Sequence, residues 1–153
     1  MFRGLNAVTI DDKGRLAVPA RYRDVIQEEA DGVLVVTIDP EERCLLLYSN
    51  PQWEEIEAKL SSLPSFNPAA RRIQRLLIGH ATELEMDRHA RILIPPLLRE
   101  YAGIDKAVML VGQGNKFEIW GEAQWELARE SWLADGLTDN DGEIPGELRS
   151  LSL

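Results

Sequence analysis

The sequence predicts an α+β fold made of two tandem copies of one strand–turn–strand–helix unit. A charged motif is written twice, as "IDDKGRLAVPARYR" (residues 10–23) and "MDRHARILIPPLLR" (86–99). Asp11, Arg15, Pro19 and Arg23 match Asp87, Arg91, Pro95 and Arg99 at a single offset of 76. The same order of elements then follows each copy. The string "QWE" at 52–54 recurs at 124–126, offset 72, so the second copy is slightly shorter between its motifs. A repeat of this size is a supersecondary unit that completes its core against a neighbour.

The elements follow from patterning. In "NAVTI", Val8 and Ile10 share one face and Thr9 points the other way, which is strand alternation. "DDKG" reads as a turn: Asp bonds nearby backbone N–H groups and Gly14 accepts a strained φ. "RLAV" returns as a strand with Leu16 and Val18 inward and Arg15 and Ala17 outward. Pro19 suits the first turn of a helix through "ARYRDVIQEEA" that stops at Gly32. Strands "VLVVTI" and "CLLLY" follow, and then a helix starting at Pro51 with Asn50 as its cap and Trp53, Ile56 and Leu60 on one face.

After a loop, Asn67 caps a helix from Pro68 with Ile73, Leu76 and Leu77 as its apolar face. Arg71, Arg72 and Arg75 form its solvated face. The second copy repeats the plan. A strand ends in Leu84 and Met86, "DRHA" turns and "RILI" returns. Pro95 and Pro96 open a short helix ending at Gly103. Strands "AVMLVG" and "KFEIW" are joined by "QGN", and a last helix carries Trp125 and Trp132. The expected organisation is a first repeat at 1–60, a connecting loop and helix at 61–79, a second repeat at 80–133, and an acidic flexible tail at 134–153.

Composition narrows the function. The chain has 153 residues, 44% of them hydrophobic, and a net charge of −9. No apolar run approaches the roughly 18 residues of a membrane span. The first residues lack the apolar core of a signal peptide. The single Cys44 excludes an internal disulfide framework, and within "CLLLY" it reads as a buried, inert thiol. A cytoplasmic protein is expected. The charge is unevenly spread: residues 1–23 and 71–99 each carry +3, and these islands coincide with the two motifs. A basic patch on an acidic body still attracts phosphate, because salt screens charges beyond about 8–10 Å. Pairing of these arginines with neighbouring acids is the competing reading.

Enzymatic signatures are missing. His80 and His89 have no cysteine partners at metal spacing, and no phosphate-cradling glycine loop or nucleophile elbow is present. No cofactor or metal is expected. What remains is the turn. An acid and an arginine four residues apart bracket it, and an arginine on a rigid ribbon grips phosphates or reads guanine edges bidentately. A two-stranded ribbon also fits the major groove. An internal Asp–Arg salt bridge without a ligand is compatible with either use.

The set "MFRG", "DDKGRLAVPARYR", "RRIQRLLIGHA", "PPLLREYAGI", "VMLVGQGNKFEIW" and the closing "LSL" resembles the MraZ family, nearly end to end. The Asp-x-x-x-Arg turn alone resembles the wider AbrB/SpoVT superfamily. The resemblance implies two swapped-hairpin half-barrels about an internal pseudo-twofold axis, with flanking helices, assembled as a homo-oligomeric ring. It implies a nucleoid-associated transcriptional regulator, usually a repressor. Its double-stranded DNA partner would be G-containing direct repeats in the promoter of the division and cell-wall gene cluster.

By this resemblance the family's DNA-contacting arginines map onto Arg15 and Arg91, with Asp11 and Asp87 as the matching acids; Gly14 is expected to support the first loop, and Lys13, Arg3 and Arg88 are expected to add phosphate contacts. One departure stands out. Ala90 replaces the usual glycine, so the two loops are expected to differ in shape. Two other uses of the arginine loops stay open: an oligomeric scaffold that regulates a protein partner, and an Asp/Arg-dependent enzyme.

Overall fold

The computed structural model describes residues 1–136 and 144–152. The first half contains β1 (Phe2–Thr9), β2 (Arg15–Ala17), α1 (Ala20–Ala30), β3 (Val33–Ile38), β4 (Leu45–Ser49) and α2 (Asn50–Ser61). Helix α3 (Pro68–Leu77) leads into the second half. There β5 (Thr82–Glu85), β6 (Arg91–Leu93), α4 (Pro96–Tyr101), β7 (Ala107–Gly114), β8 (Phe117–Gly121) and α5 (Glu122–Asp135) repeat the order, followed by the single-turn α6 (Gly146–Arg149). The fold is α+β in two repeated halves. Among the described residues no helix is long and apolar enough to cross a membrane.

The halves interlock. Six strands form one antiparallel sheet in the order β1-β7-β8-β4-β3-β5, and β2 pairs with β6 as a separate ribbon. Thus β1 is paired across its full length with β7 of the other half, and β5 pairs with β3. The register is self-equivalent. Leu46 lies opposite Glu118, flanked by Leu45↔Ile119 and Leu47↔Phe117, which exchange under the offset of 72. On the ribbon Leu16 lies opposite Ile92, flanked by Arg15↔Leu93 and Ala17↔Arg91, which exchange under the offset of 76. A twofold relation between the halves therefore passes through both central pairs.

Strand alternation explains the core. Leu16, Ile92 and Ile94 are fully buried and Val18 nearly so, and they share one cluster with Leu34, Val36, Leu45, Leu47, Val108, Leu110, Phe117 and Ile119. The ribbon thus lays its apolar face on the inner face of the sheet. Burying each such side chain stabilises the fold by about 1.5–3 kcal/mol. The outer face is covered twice by equivalent helices. Trp53 of α2 packs on Tyr48 at 5.7 Å, and Trp125 of α5 packs on Trp120 at 5.8 Å. Thr37, fully buried, donates its hydroxyl to the Leu77 carbonyl at 2.7 Å and ties the end of α3 to the sheet.

Several local expectations change. Strand β1 starts at Phe2 rather than Asn6, because β7 continues to Gly114 and offers partners along its whole length. The turn after β7 is accordingly tighter than "QGN", with Gln113 N–H donating to the Lys116 carbonyl. Asn50 is not a cap: the cap position is Ser49, and the Asn50 amide instead donates to Glu54 Oε1 at 3.3 Å. Pro19 stands at the N-cap of α1, one residue before the helix. Asn67 does cap α3, accepting from Ala70 N–H at 3.0 Å. The expected tail overlaps the end of α5 and includes α6, while residues 137–143 and 153 of it lie outside the described residues.

Candidate nucleic-acid interface

Each Asp-x-x-x-Arg turn is held by the acid. Asp11 Oδ1 accepts from the N–H groups of Lys13 (3.0 Å) and Arg15 (2.9 Å), and Oδ2 accepts from Arg15 Nε at 2.7 Å. Asp87 repeats this with His89 N–H (2.8 Å), Arg91 N–H (2.9 Å) and Arg91 Nε (3.1 Å). The Arg15 backbone N–H, with the Arg15 side chain and the Lys13 N–H behind it, holds the Asp11 carboxyl down at about 2. The Arg91 backbone N–H, the His89 N–H and the Arg91 side chain lower Asp87 likewise. Both acids stay ionised at neutral pH. Of the two readings offered for the acid, backbone brace and ion pair, both hold at once.

Only Nε of each arginine is engaged by the acid, which leaves the two terminal amino groups for another partner. The side chains of Arg15 and Arg91 are 32% and 30% exposed. Their positions on the ribbon are diagonal, since Arg15 faces Leu93 and Arg91 faces Ala17. Diagonal neighbours on one face of an antiparallel pair lie about 7–8 Å apart. The two arginines, one from each half, therefore share one outward face with Ala17 and the exposed Leu93, while Leu16 and Ile92 fill the core side.

The expected difference in loop shape is not seen in the hydrogen bonds. Gly14 has φ +89 and donates to the Asp11 carbonyl at 2.9 Å. Ala90 takes φ +57 and donates to the Asp87 carbonyl at 2.9 Å. The carbonyls of both residues also cross to the other half: Ile94 N–H donates to Gly14 and Val18 N–H to Ala90, each at 2.9 Å. These cross-bonds bind each turn to the opposite ribbon strand and hold Ala90 in a left-handed conformation that L-residues seldom adopt.

The last arginine of each motif has a different job, one that its sequence position did not reveal. Arg23 Nε donates to the Val18 carbonyl at 2.7 Å and Arg99 Nε to the Ile94 carbonyl at 3.0 Å. These cations sit on the backbone leading into α1 and α4 and stiffen the ribbon from behind.

The ribbon and its turns bring together Asp11, Lys13, Gly14, Arg15, Asp87, Arg88 and Arg91. Arg3 is not among them. It lies near the far end of β1, about 20 Å along the strand from Thr9. Its carbonyl accepts from Arg21 Nη2 and the Tyr22 hydroxyl. Arg71, Arg72 and Arg75 are exposed on α3 and line a 420 Å³ groove with Phe66, Pro68 and Leu76.

Elsewhere Cys44 is fully buried, and burial above all pushes its thiol up, which keeps it protonated and unreactive. Its sulfur lies with carboxylate oxygens of Asp39 and Glu118 inside a 4.8 Å cluster. Burial raises the Glu118 carboxyl, and the Trp120 indole N–H bonds it at 3.0 Å.

A doubled Asp–Arg turn on one shared ribbon, carried by an interlocked tandem α+β repeat, is the class of protein these features define. The family described as "MraZ protein, putative antitoxin-like" matches residues 1–76 and again residues 77–141. The chain belongs to the MraZ family. It is 69% identical to a protein of Coxiella burnetii, 58% to one of Legionella pneumophila and 54% to one of Halorhodospira halophila, in each case over the whole of both chains. All three relatives carry the name Transcriptional regulator MraZ, and the family is one of regulators rather than enzymes.

Proposed function

We propose that this chain is a sequence-specific DNA-binding transcriptional regulator, acting chiefly as a repressor from a position on the nucleoid. Its targets in this reading are short G-containing direct repeats in the promoter of a division and cell-wall gene cluster that includes its own gene. The single observation that supports this best is the ribbon face, on which Arg15 and Arg91 stand diagonally with their terminal amino groups unengaged by the braced acids. Because Asp11 and Asp87 already hold the arginines, less side-chain entropy is lost on docking to a guanine edge or phosphate. A major groove about 12 Å wide admits such a ribbon.

Lys13 at the first turn tip adds a phosphate contact and Arg88 at the second a further DNA contact, while Arg3, about 20 Å along β1 from Thr9, stands outside this face. The repeats at 1–60 and 80–133, joined by 61–79, supply one turn each. Assembly of copies as a head-to-tail ring would present these turns at a fixed step, so direct repeats are engaged together and effective concentration multiplies a weak single contact. The test is a gel shift on the chain's own upstream DNA against a scrambled duplex. Arg15→Ala and Arg91→Ala should each lose roughly five- to 150-fold in affinity, with unchanged circular dichroism. A folded double variant with undiminished binding would refute the assignment and leave the ribbon as a surface for a protein partner.

A further inference from the structure

The ribbon is symmetric in its bonds and asymmetric at its tips. Rotation about the axis through Leu16 and Ile92 exchanges Arg15 with Arg91, Asp11 with Asp87, and the Ile94–Gly14 hydrogen bond with the Val18–Ala90 bond. The two residues beyond each acid do not exchange with their like. Asp12 stands where the second turn has Arg88, and Lys13 where it has His89. All four are exposed. Among the described residues neither Asp12 nor Arg88 makes a side-chain hydrogen bond or ion pair within the chain, although their neighbours Asp11 and Asp87 each make several. Bracing the turn therefore does not account for either side chain.

A ribbon with identical tips would favour a palindromic unit, because the symmetry of a DNA reader is mirrored in its site. The tips here are chemically opposed. Arg88 offers only donors and fits the O6 and N7 acceptors of guanine. Asp12 offers only acceptors and fits the N4 amino donor of cytosine. Asp12 is also repelled by any phosphate that Arg88 would attract.

We propose that Asp12 and Arg88 make each ribbon read a non-palindromic unit, with an acceptor-rich base edge under the second turn and a donor edge under the first. This gives the protein one direction on the duplex, and it rests on the DNA-binding reading above. Lys13 and His89 reinforce the distinction, an ammonium on a flexible stem in the first turn and an imidazole ring in the second.

The experiment is selection of bound sequences from a random duplex library by the full chain and by Asp12→Arg. Direct titration of the enriched unit and of its palindromised form, in which the half under the second turn is copied in inverted orientation, follows the selection. The parent should enrich a non-palindromic unit and bind the palindromised form about five- to 150-fold more weakly. Asp12→Arg should abolish or invert that ratio while keeping its fold. Two results would overturn the proposal: a palindromic consensus from the parent, or an unchanged ratio in Asp12→Arg. Enrichment of no sequence by the parent would overturn the DNA-binding reading beneath it, and is thus distinguishable from failure of the directional reading alone.

Discussion

Gly14 and Ala90 occupy equivalent points of the two turns, both with positive φ, so substituting each by the other's residue type perturbs one backbone geometry in opposite senses. For an L-residue the left-handed region costs about 1–2 kcal/mol. Glycine is disfavoured by about 0.5–1 kcal/mol because its unfolded chain is freer. Ala90→Gly should therefore stabilise by about 0.5–1 kcal/mol. Gly14→Ala meets an extra obstacle. A Cβ there would lie 2.7 Å from Arg99 Cζ and 2.9 Å from Arg99 Nε, the same Nε that donates to the Ile94 carbonyl.

If the guanidinium swings clear with its bond intact, the cost is about 0.5–1 kcal/mol. If the charged hydrogen bond is lost, about 1.5–3 kcal/mol is added. For a chain of this size each kcal/mol shifts Tm by about 2–4 °C. Thermal unfolding followed by circular dichroism at one fixed protein concentration should show Ala90→Gly above the parent and Gly14→Ala below it. The added cost should vanish when Gly14→Ala is placed in an Arg99→Ala background, a double-mutant cycle. A Gly14→Ala variant as stable as the parent, with the same cost in both backgrounds, would refute the reasoning.

Other outcomes follow from the same geometry. Phe117 is fully buried, stacked on Phe2 at 4.2 Å and edge-on to Tyr22 at 4.8 Å, so Phe117→Ala should cost about 3–5 kcal/mol in urea unfolding. The Asp11 carboxyl is lowered from 3.8 to about 2, so its brace is complete above 3.8 and is lost as pH falls through about 2. The Lys13 and Arg15 amide resonances should report that low midpoint; a midpoint near 3.8 would mean the brace is absent in solution. In the DNA-binding reading, three phosphates neutralised by Lys13, Arg15 and Arg91 would give a log–log salt slope of about −2.7 per bound subunit. A flat titration would speak for a protein partner instead.

The repeat, the element order and the inward faces were legible in the sequence because strand and helix periodicities report which side of an element is buried. Leu16, Val18 and Trp53 are buried as their spacing implies. Periodicity says nothing about partners. Pairing of β2 with β6 and of β1 with β7 joins residues far apart in the chain, and no local signal encodes it. Capping chemistry was legible at Asn67, where a loop precedes the helix, but not at Asn50, where β4 runs straight through Ser49 into α2. The Ala90 turn looked like a departure because local preference disfavours positive φ in alanine, whereas the cross-half bond to Val18 overrides it. Arg23 and Arg99 matched as motif members but turned out to bind backbone carbonyls, and Arg3 fell at the wrong end of its strand. Both facts depend on tertiary geometry.

The interlocked sheet also sets a timetable for synthesis. Phe2 pairs with Gly114 and Thr9 with Ala107, so β1 emerges from the ribosome roughly a hundred residues ahead of the strand that completes it. At roughly 5–20 residues per second, β1 waits about 5–20 s for its partner. The β3–β4 hairpin closes early, whereas the Arg15 strand waits until β6 is made and β1 until β7 follows it. On a polysome, neighbouring nascent chains pass through the same stage at high local concentration. The β7 of one chain can make to the β1 of another the very bonds it makes at home, which is the geometry of a domain swap. The fold that puts two arginines on one ribbon thereby leaves its earliest strand without a partner until most of the second half has been made.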